Sequence, residues 1–280
     1  MIVDDNSHVL SATETSRRDK IVVFDLDETL GCFVELGMFC DALEQIMDTP
    51  IDQVHFFEIM TLFPEFMRPN IIKILSYLLD KKRHGDCKKI MIYTNNQGPP
   101  SWTENIAAYF SHILGDKVFD DIILAFKVRG KKVEICRTSH NKSVKDLVNC
   151  TQIPKDTKVC FLDDQFHPEM KHDNVFYINV KPYTDNIPFK EMSERYYAKY
   201  KQYVDYAPDI FHKKIVDHMK RYNFTVVTKS LDAKKVDRII SKKIVIYLEE
   251  FFYKYRKNVT RKKRSRHKSL RTRRRRREKT

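Results

Sequence analysis

Asp25 and Asp27 stand two positions apart in the run Asp25-Leu26-Asp27-Glu28-Thr29, directly behind the apolar stretch Ile21-Val22-Val23-Phe24. In extended chain, side chains two apart lie on the same side, so both carboxylates can face one reacting phosphorus. A carboxylate that attacks phosphorus forms an acyl-phosphate and divides one very slow hydrolysis into two easier steps. Its neighbour can protonate the leaving oxygen and later take the proton of the attacking water. Crowding acids is costly, since two unit charges about 4 Å apart repel by about 4 kcal/mol at an effective dielectric near 20. With Asp163 joining Asp25 and Asp27, a hard divalent ion with oxygen ligands is expected, Mg²⁺ above all.

The elements that would position these residues are legible as buried strands. Ile21–Phe24 is short, apolar, largely β-branched and ended by Asp25. Ile90-Met91-Ile92-Tyr93 runs into Thr94, Val159-Cys160-Phe161-Leu162 closes on Asp163-Asp164, and Val175-Phe176-Tyr177-Ile178 is a fourth strand. Between them, Ile71, Ile72, Leu75, Leu78 and Leu79 recur at helical spacing ahead of the basic cluster Lys81-Lys82-Arg83, and Trp102 to Leu114 again reads helical. This alternation predicts an α/β, Rossmann-like fold, a mostly parallel sheet with helices on both faces. Ligands of such sheets bind beyond the carboxyl ends of the strands, where Asp25, Thr94 and Asp163 all stand.

The motifs taken together resemble the haloacid-dehalogenase superfamily: DLDET after a strand, Thr94 after IMIY, Lys145 in SVKDL, and the acidic pair in VCFLDDQ, in that order. Arg68-Pro69 before a helix, and Lys145-Asp146-Leu147 before the acidic pair, look like the NLI-interacting-factor-like branch. Familiar members of that branch dephosphorylate Ser in the carboxy-terminal repeat of RNA polymerase II. The resemblance spans roughly residues 20 to 183. It implies that Asp25 is nucleophile and metal ligand and that Asp27 is the acid/base residue, offering its backbone carbonyl to Mg²⁺. Thr94 and Asn95 would bind substrate phosphate, and Lys145 would offset its charge, with Lys142 as the nearby alternative. Of Asp163 and Asp164, one would bind the metal and the other orient the lysine, with the assignment open. Thr29 would brace the loop. The chain departs from the family in having Asn70 where Gly is common after Arg-Pro, Thr94-Asn95-Asn96 in place of a small-residue turn, and Asp163-Asp164 where close relatives often pair Asp with Asn.

Composition bounds the rest. Of 52 Lys and Arg, 15 fall between Arg256 and Thr280 against one acid, Glu278, so the preceding chain carries 37 basic and 37 acidic residues. The body is neutral and the net charge of +14 belongs to the tail. The reading divides the chain into a flexible leader (1–19), a catalytic domain (20–184), a mainly helical extension (185–255) and a basic, disordered tail (256–280). The tail would direct the protein to the nucleus or bind RNA, DNA or an acidic protein through charge. Six cysteines without a CxxC pair, and an acidic amino terminus, lead to an expectation of reduced thiols in an intracellular compartment. No apolar run approaches the roughly 18 residues of a membrane span. Histidines 140, 167 and 172 flank the site, but an oxygen-ligated Mg²⁺ has no need of imidazole. Cys32 reads as a small buried hydrophobe. The apolar stripe Ile240, Ile244, Leu248, Phe251, Phe252 and Tyr255 reads as a face packed on the body. The 38 residues between Thr29 and Arg68 suffice for a flap but not for a separate lid, so an open cleft and a phosphoprotein substrate are expected. The competing readings are a nucleic-acid-end or nucleotide phosphatase, and a nucleic-acid-binding or structural protein on an inactive phosphatase scaffold.

Overall fold

The computed structural model describes residues 19–277, with side chains described as far as Tyr255. The expected leader lies outside them except for Asp19. In chain order the elements are β1 (Lys20–Phe24), α1 (Val34–Met47), α2 (Gln53–Leu62), α3 (Ile71–Arg83), β2 (Lys89–Tyr93), α4 (Pro100–Leu114), β3 (Asp121–Ile123), β4 (Lys127–Val128), β5 (Lys131–Lys132), α5 (Val144–Thr151), β6 (Lys158–Asp163), β7 (Val175–Asn179), α6 (Phe189–Tyr200), α7 (Pro208–Lys220) and α8 (Leu231–Arg277).

Five strands form one sheet in the order β3-β2-β1-β6-β7, with every neighbouring pair parallel. The small hairpin of β4 and β5 stands apart. Alternation along the strands feeds two cores. Val22 and Phe24 face one with Ile90, Ile92, Cys160 and Leu162. Ile21 and Val23 face the other with Met91, Tyr93, Val159 and Phe161. Both faces of the central strands are covered, which explains their unbroken apolar runs. The strand order reverses at β1, with β2 on one side and β6 on the other, so the crevice of the sheet opens at the end of β1.

Three local choices hold the loop after β1. Arg68, 1% exposed, donates from Nε to the Thr29 carbonyl at 2.6 Å and from Nη2 to the Glu28 and Lys181 carbonyls at 2.5 and 2.9 Å. Glu28 takes a left-handed conformation (φ 56°), and its carbonyl also accepts from the Tyr183 N–H at 2.9 Å. Gly31 passes so close to the Phe66 backbone that a Cβ would lie 2.4 Å from its carbonyl oxygen. Asn70, where the resembled family favours Gly, sits at φ 63° just before α3, a conformation that asparagine tolerates better than most residues.

Two expectations are corrected here. The segment between Thr29 and Arg68 is not a flap, because α1 and α2 bury Phe39, Leu43, Phe56, Ile59 and Met60 in the main core and pack against α7, α4 and α6. Nor are all six cysteines reduced. Cys136 and Cys150 form a disulfide with Cα atoms 5.1 Å apart, because the last turn of α5 lies against the loop behind β5, while Cys32, Cys40, Cys87 and Cys160 are free and buried. Closing a loop of this length is worth about 3 kcal/mol in the chain-entropy account. The double variant Cys136→Ser/Cys150→Ser is therefore expected to lose roughly 2–3 kcal/mol in urea denaturation, with reductant lowering the native protein to the same level. Coincident curves for all three samples would contradict this.

The expected stripe on α8 packs as read, with Ile244, Leu248, Phe251 and Phe252 buried against the main core beside α3 and β7. The expectation of a disordered tail concerns residues whose side chains lie outside the described set. Their backbone continues α8 to Arg277. Among the described residues no helix is long and apolar enough to cross a membrane.

Glu35, in the first turn of α1, is a charge the fold tolerates poorly. It is 1% exposed, its Oε2 accepts from the Ile187 N–H (3.1 Å) and Asn186 Nδ2 (3.2 Å), and its Oε1 has no partner. Burial raises its pKa from an ordinary value of 4.5 to about 7. The folded state thus holds a proton that the unfolded chain releases, and stability falls as pH rises from about 4.5 to about 7. Glu35→Gln is expected to stabilise the protein by about 1–3 kcal/mol at pH 8 and to change nothing near pH 4. A pH-independent difference would sink this assignment.

Candidate functional site

The sheet register brings the predicted residues to one level. Phe24 pairs with Leu162 and with Ile92, so Asp25 stands level with Asp163 and Tyr93, and Thr94 is one step beyond. The Asp25 N–H donates to the Leu162 carbonyl at 2.8 Å, and the Thr94 N–H to the Ile123 carbonyl at 2.9 Å, extending the ladder into the site.

A lysine joins the acids, and it is Lys142 where Lys145 was expected. Lys142 Nζ, in a side chain 2% exposed, donates to Asp25 Oδ1 at 2.5 Å and to Asp163 Oδ2 at 2.7 Å. Lys145 is exposed on α5, whose buried residues are Asp146 and Leu147. The reason is the helix start. Ser143 is the N-cap, accepting from the Asp146 N–H at 3.1 Å, so Lys142 lies outside the helix and reaches back to the strand ends.

The acidic pair divides its tasks. Asp163 is fully engaged: Oδ1 accepts from the Gln165 N–H at 2.8 Å, while Oδ2 meets Lys142 and lies 3.3 Å from His167 Nε2. Asp164 accepts from Thr29 Oγ1 through Oδ1 at 3.1 Å, which gives Thr29 its bracing role. Asp25, Asp163 and Asp164 each offer a carboxylate oxygen, and these lie within 4.8 Å of one another.

Asp27 is held from the β2 loop by Asn96, whose Nδ2 donates to Asp27 Oδ2 at 2.7 Å, while Asp27 Oδ1 is buried without a partner. Asn95 turns its Oδ1 to Arg137 at 2.8 Å, and Asn96 is the one that reaches the acids. Thr94 Oγ1 accepts from the Asn96 N–H at 3.0 Å, which leaves its O–H free to donate to a ligand.

Burial dominates the electrostatics. It pushes Asp25 up to about 7, with Asp163 and Asp27 adding to the rise and Lys142 opposing it. Burial also raises Asp27, against the Asn96 hydrogen bond, and it raises Asp164 together with the charge of Asp163. Asp163 goes the other way. Burial would raise it too, but His167 and Lys142 outweigh that and hold it below the usual carboxylate range. The carboxylate oxygens of Asp25, Asp163 and Asp164, with Asp27 Oδ1 unpartnered nearby, form an all-oxygen donor set that fits a hard divalent cation such as Mg²⁺.

Arg137 carried no signal in the sequence. It is 1% exposed and grips the loops of both Thr94 and Lys142. A lone arginine in a polar stretch gives no periodicity to mark it, and the ordinary expectation for arginine is exposure.

No family model, no curated protein and no solved structure matches this chain.

Proposed function

We propose that the chain is a Mg²⁺-dependent phosphatase of haloacid-dehalogenase type, working through an aspartyl-phosphate on Asp25. The observation that carries this reading is the convergence at one sheet edge of Asp25, Lys142 and the Asp163-Asp164 pair, with Asp27 held nearby by Asn96.

Asp25 supplies the attacking carboxylate oxygen, forming a P–O bond as the substrate's ester oxygen departs. Asp27 gives that oxygen its proton, then takes the proton of the water that cleaves the aspartyl-phosphate. Lys142 and the Thr94 hydroxyl face the phosphoryl oxygens and stabilise charge that gathers there. Asp163 keeps Lys142 in place. Asp25 and Asp164, with the Asp27 backbone carbonyl, would hold Mg²⁺, which supplies charge neutralisation to the transferring phosphoryl group.

The substrate class favoured is phosphoserine or phosphothreonine on a protein, such as the carboxy-terminal repeat of RNA polymerase II. Two features support it: the local motif resemblance, and the packing of α1 and α2 into the body, which gives the segment after Thr29 no role as a lid over the site. The basic residues 256–280 would carry the enzyme to the nucleus or to acidic and nucleic-acid assemblies. The test is a panel of phosphoserine peptides, a 3′-phosphorylated oligonucleotide, nucleotides and small phosphoesters, assayed with Mg²⁺ and with chelator. Mg²⁺-dependent release from the peptides supports the reading. Preference for the oligonucleotide would shift the substrate class, and no release from any member would overturn the enzyme.

A further inference from the structure

Arg137 is a buried cation that the chemistry above leaves unused. Its Nη1 donates to the Thr94 carbonyl at 3.0 Å and the Leu124 carbonyl at 2.8 Å. Its Nη2 donates to Asn95 Oδ1 at 2.8 Å and the His140 carbonyl at 2.9 Å. Three separate segments, the exits of β2 and β3 and the loop before Lys142, are thus joined through one guanidinium. The plane lies 4.8 Å over the Tyr93 ring, and Lys142 Nζ lies 5.9 Å from the same ring. Among the described residues, no carboxylate forms an ion pair with Arg137. Of the two acids nearest in sequence, Glu134 accepts from the Leu124 N–H through Oε2, and Asp146 spends its oxygens on the N–H and hydroxyl of Thr138.

Burying a cation without a contacting carboxylate is costly, and a neutral residue would fill the position at lower cost unless the charge or its fork were used. We propose that Arg137 is the positioning residue of the anion cradle: it fixes the Thr94-Asn95 turn relative to the Lys142 loop, and its charge, met by no direct carboxylate contact, backs the place where phosphoryl oxygens bind. The proposal rests on the reading of the Asp25 edge as a phosphate-handling site.

The geometry explains why the residue is arginine. Four oxygens from three segments are met at once by a planar fork, which an ammonium on a flexible stem does not reproduce. The same fork sets the separation of the two groups, Thr94 Oγ1 and Lys142 Nζ, that contact the phosphoryl oxygens. Misplacement by about 1 Å is enough to cost on the order of 100-fold in rate.

The experiment compares full-length wild type, Arg137→Ala and Arg137→Lys by three readouts: affinity for Mg²⁺ alone, affinity for inorganic phosphate in the presence of Mg²⁺, and kcat and KM on a phosphoserine peptide. Arg137→Ala is expected to bind phosphate ~10-fold or more weakly and to lose ~100-fold in kcat, with Mg²⁺ affinity retained because the carboxylates are untouched. Added guanidinium should restore part of both losses, and Arg137→Lys should fall between the two proteins. Wild-type phosphate affinity in either variant overturns the proposal. So does a parallel loss of Mg²⁺ and phosphate affinity, which is the mark of a merely structural role. If Arg137→Ala fails to fold, Arg137→Lys decides by the same criteria. If the wild type releases no phosphate from any ester, the phosphatase reading falls while the phosphate-affinity comparison still decides Arg137.

Discussion

Asp25→Asn is expected to lower phosphate release by roughly four orders of magnitude or more, because an amide oxygen is too weak a nucleophile to form the covalent intermediate. The fold should survive the change. Asn keeps the shape of Asp, the Asp25 N–H bond to Leu162 is backbone, and Lys142 retains Asp163 as its second partner. Loss of a buried carboxylate whose pKa is already pushed up to about 7 also relieves repulsion, so thermal stability in chelator should hold or rise. Steady-state release from a phosphoserine peptide, set beside a melting curve of the same sample, checks both halves. Activity within tenfold of wild type in a folded variant would remove Asp25 from the mechanism.

The second large effect separates two lysines three positions apart. Lys142→Ala is expected to cut kcat/KM by about 10²–10³, the usual cost of deleting one preorganised charge at a phosphoryl-transfer site. Lys145→Ala, at an exposed position, should leave it unchanged. Lys142→Ala also strips Asp25 and Asp163 of their shared cation, so this variant should be more dependent on Mg²⁺ for thermal stability than the wild type. The reverse pattern, with Lys145→Ala inactive and Lys142→Ala normal, would remove Lys142 from the proposed mechanism.

The difference between those lysines shows where reading the chain stops. Both stand near the start of the same helix, and the resemblance pointed to the one inside SVKDL. What decides is the position of the N-cap, and Ser143 with Asp146 three residues on is the pattern that marks it. Weighed as a cap, Ser143 puts Lys142 outside the helix beside the strand ends and Lys145 in the first turn. The four long strands were legible because burial on both faces makes their apolar runs continuous, and the helices over residues 71–83 and 100–114 because their stripes repeat at helical spacing. β3 has three residues and β4 and β5 two each, too short for any period to register.

Tertiary packing hid the rest. Nothing local distinguishes Asn95 from Asn96, since their roles follow from which one faces Asp27 across the sheet edge and which one faces Arg137. Cys136 and Cys150 are 14 positions apart and meet only because α5 folds back. That the residues after Thr29 form core and not flap depends on α6 and α7, supplied more than 120 positions later. The acids of the site were legible because chemistry restricts their types and spacing. Arg137 was not, because its work is to hold backbone carbonyls, and carbonyls carry no sequence.

The central claim is that a phosphoryl group passes through the carboxylate of residue 25. It is tested most directly by quenching the enzyme during turnover of a phosphoserine peptide with Mg²⁺, reducing it with borohydride, and mapping the peptides by mass spectrometry. An acyl-phosphate is reduced to the alcohol, so the account predicts homoserine at position 25, dependent on substrate and absent in Asp27→Asn if the first proton transfer is blocked. Turnover that leaves position 25 unlabelled while another residue is reduced, or while no residue is, would contradict it.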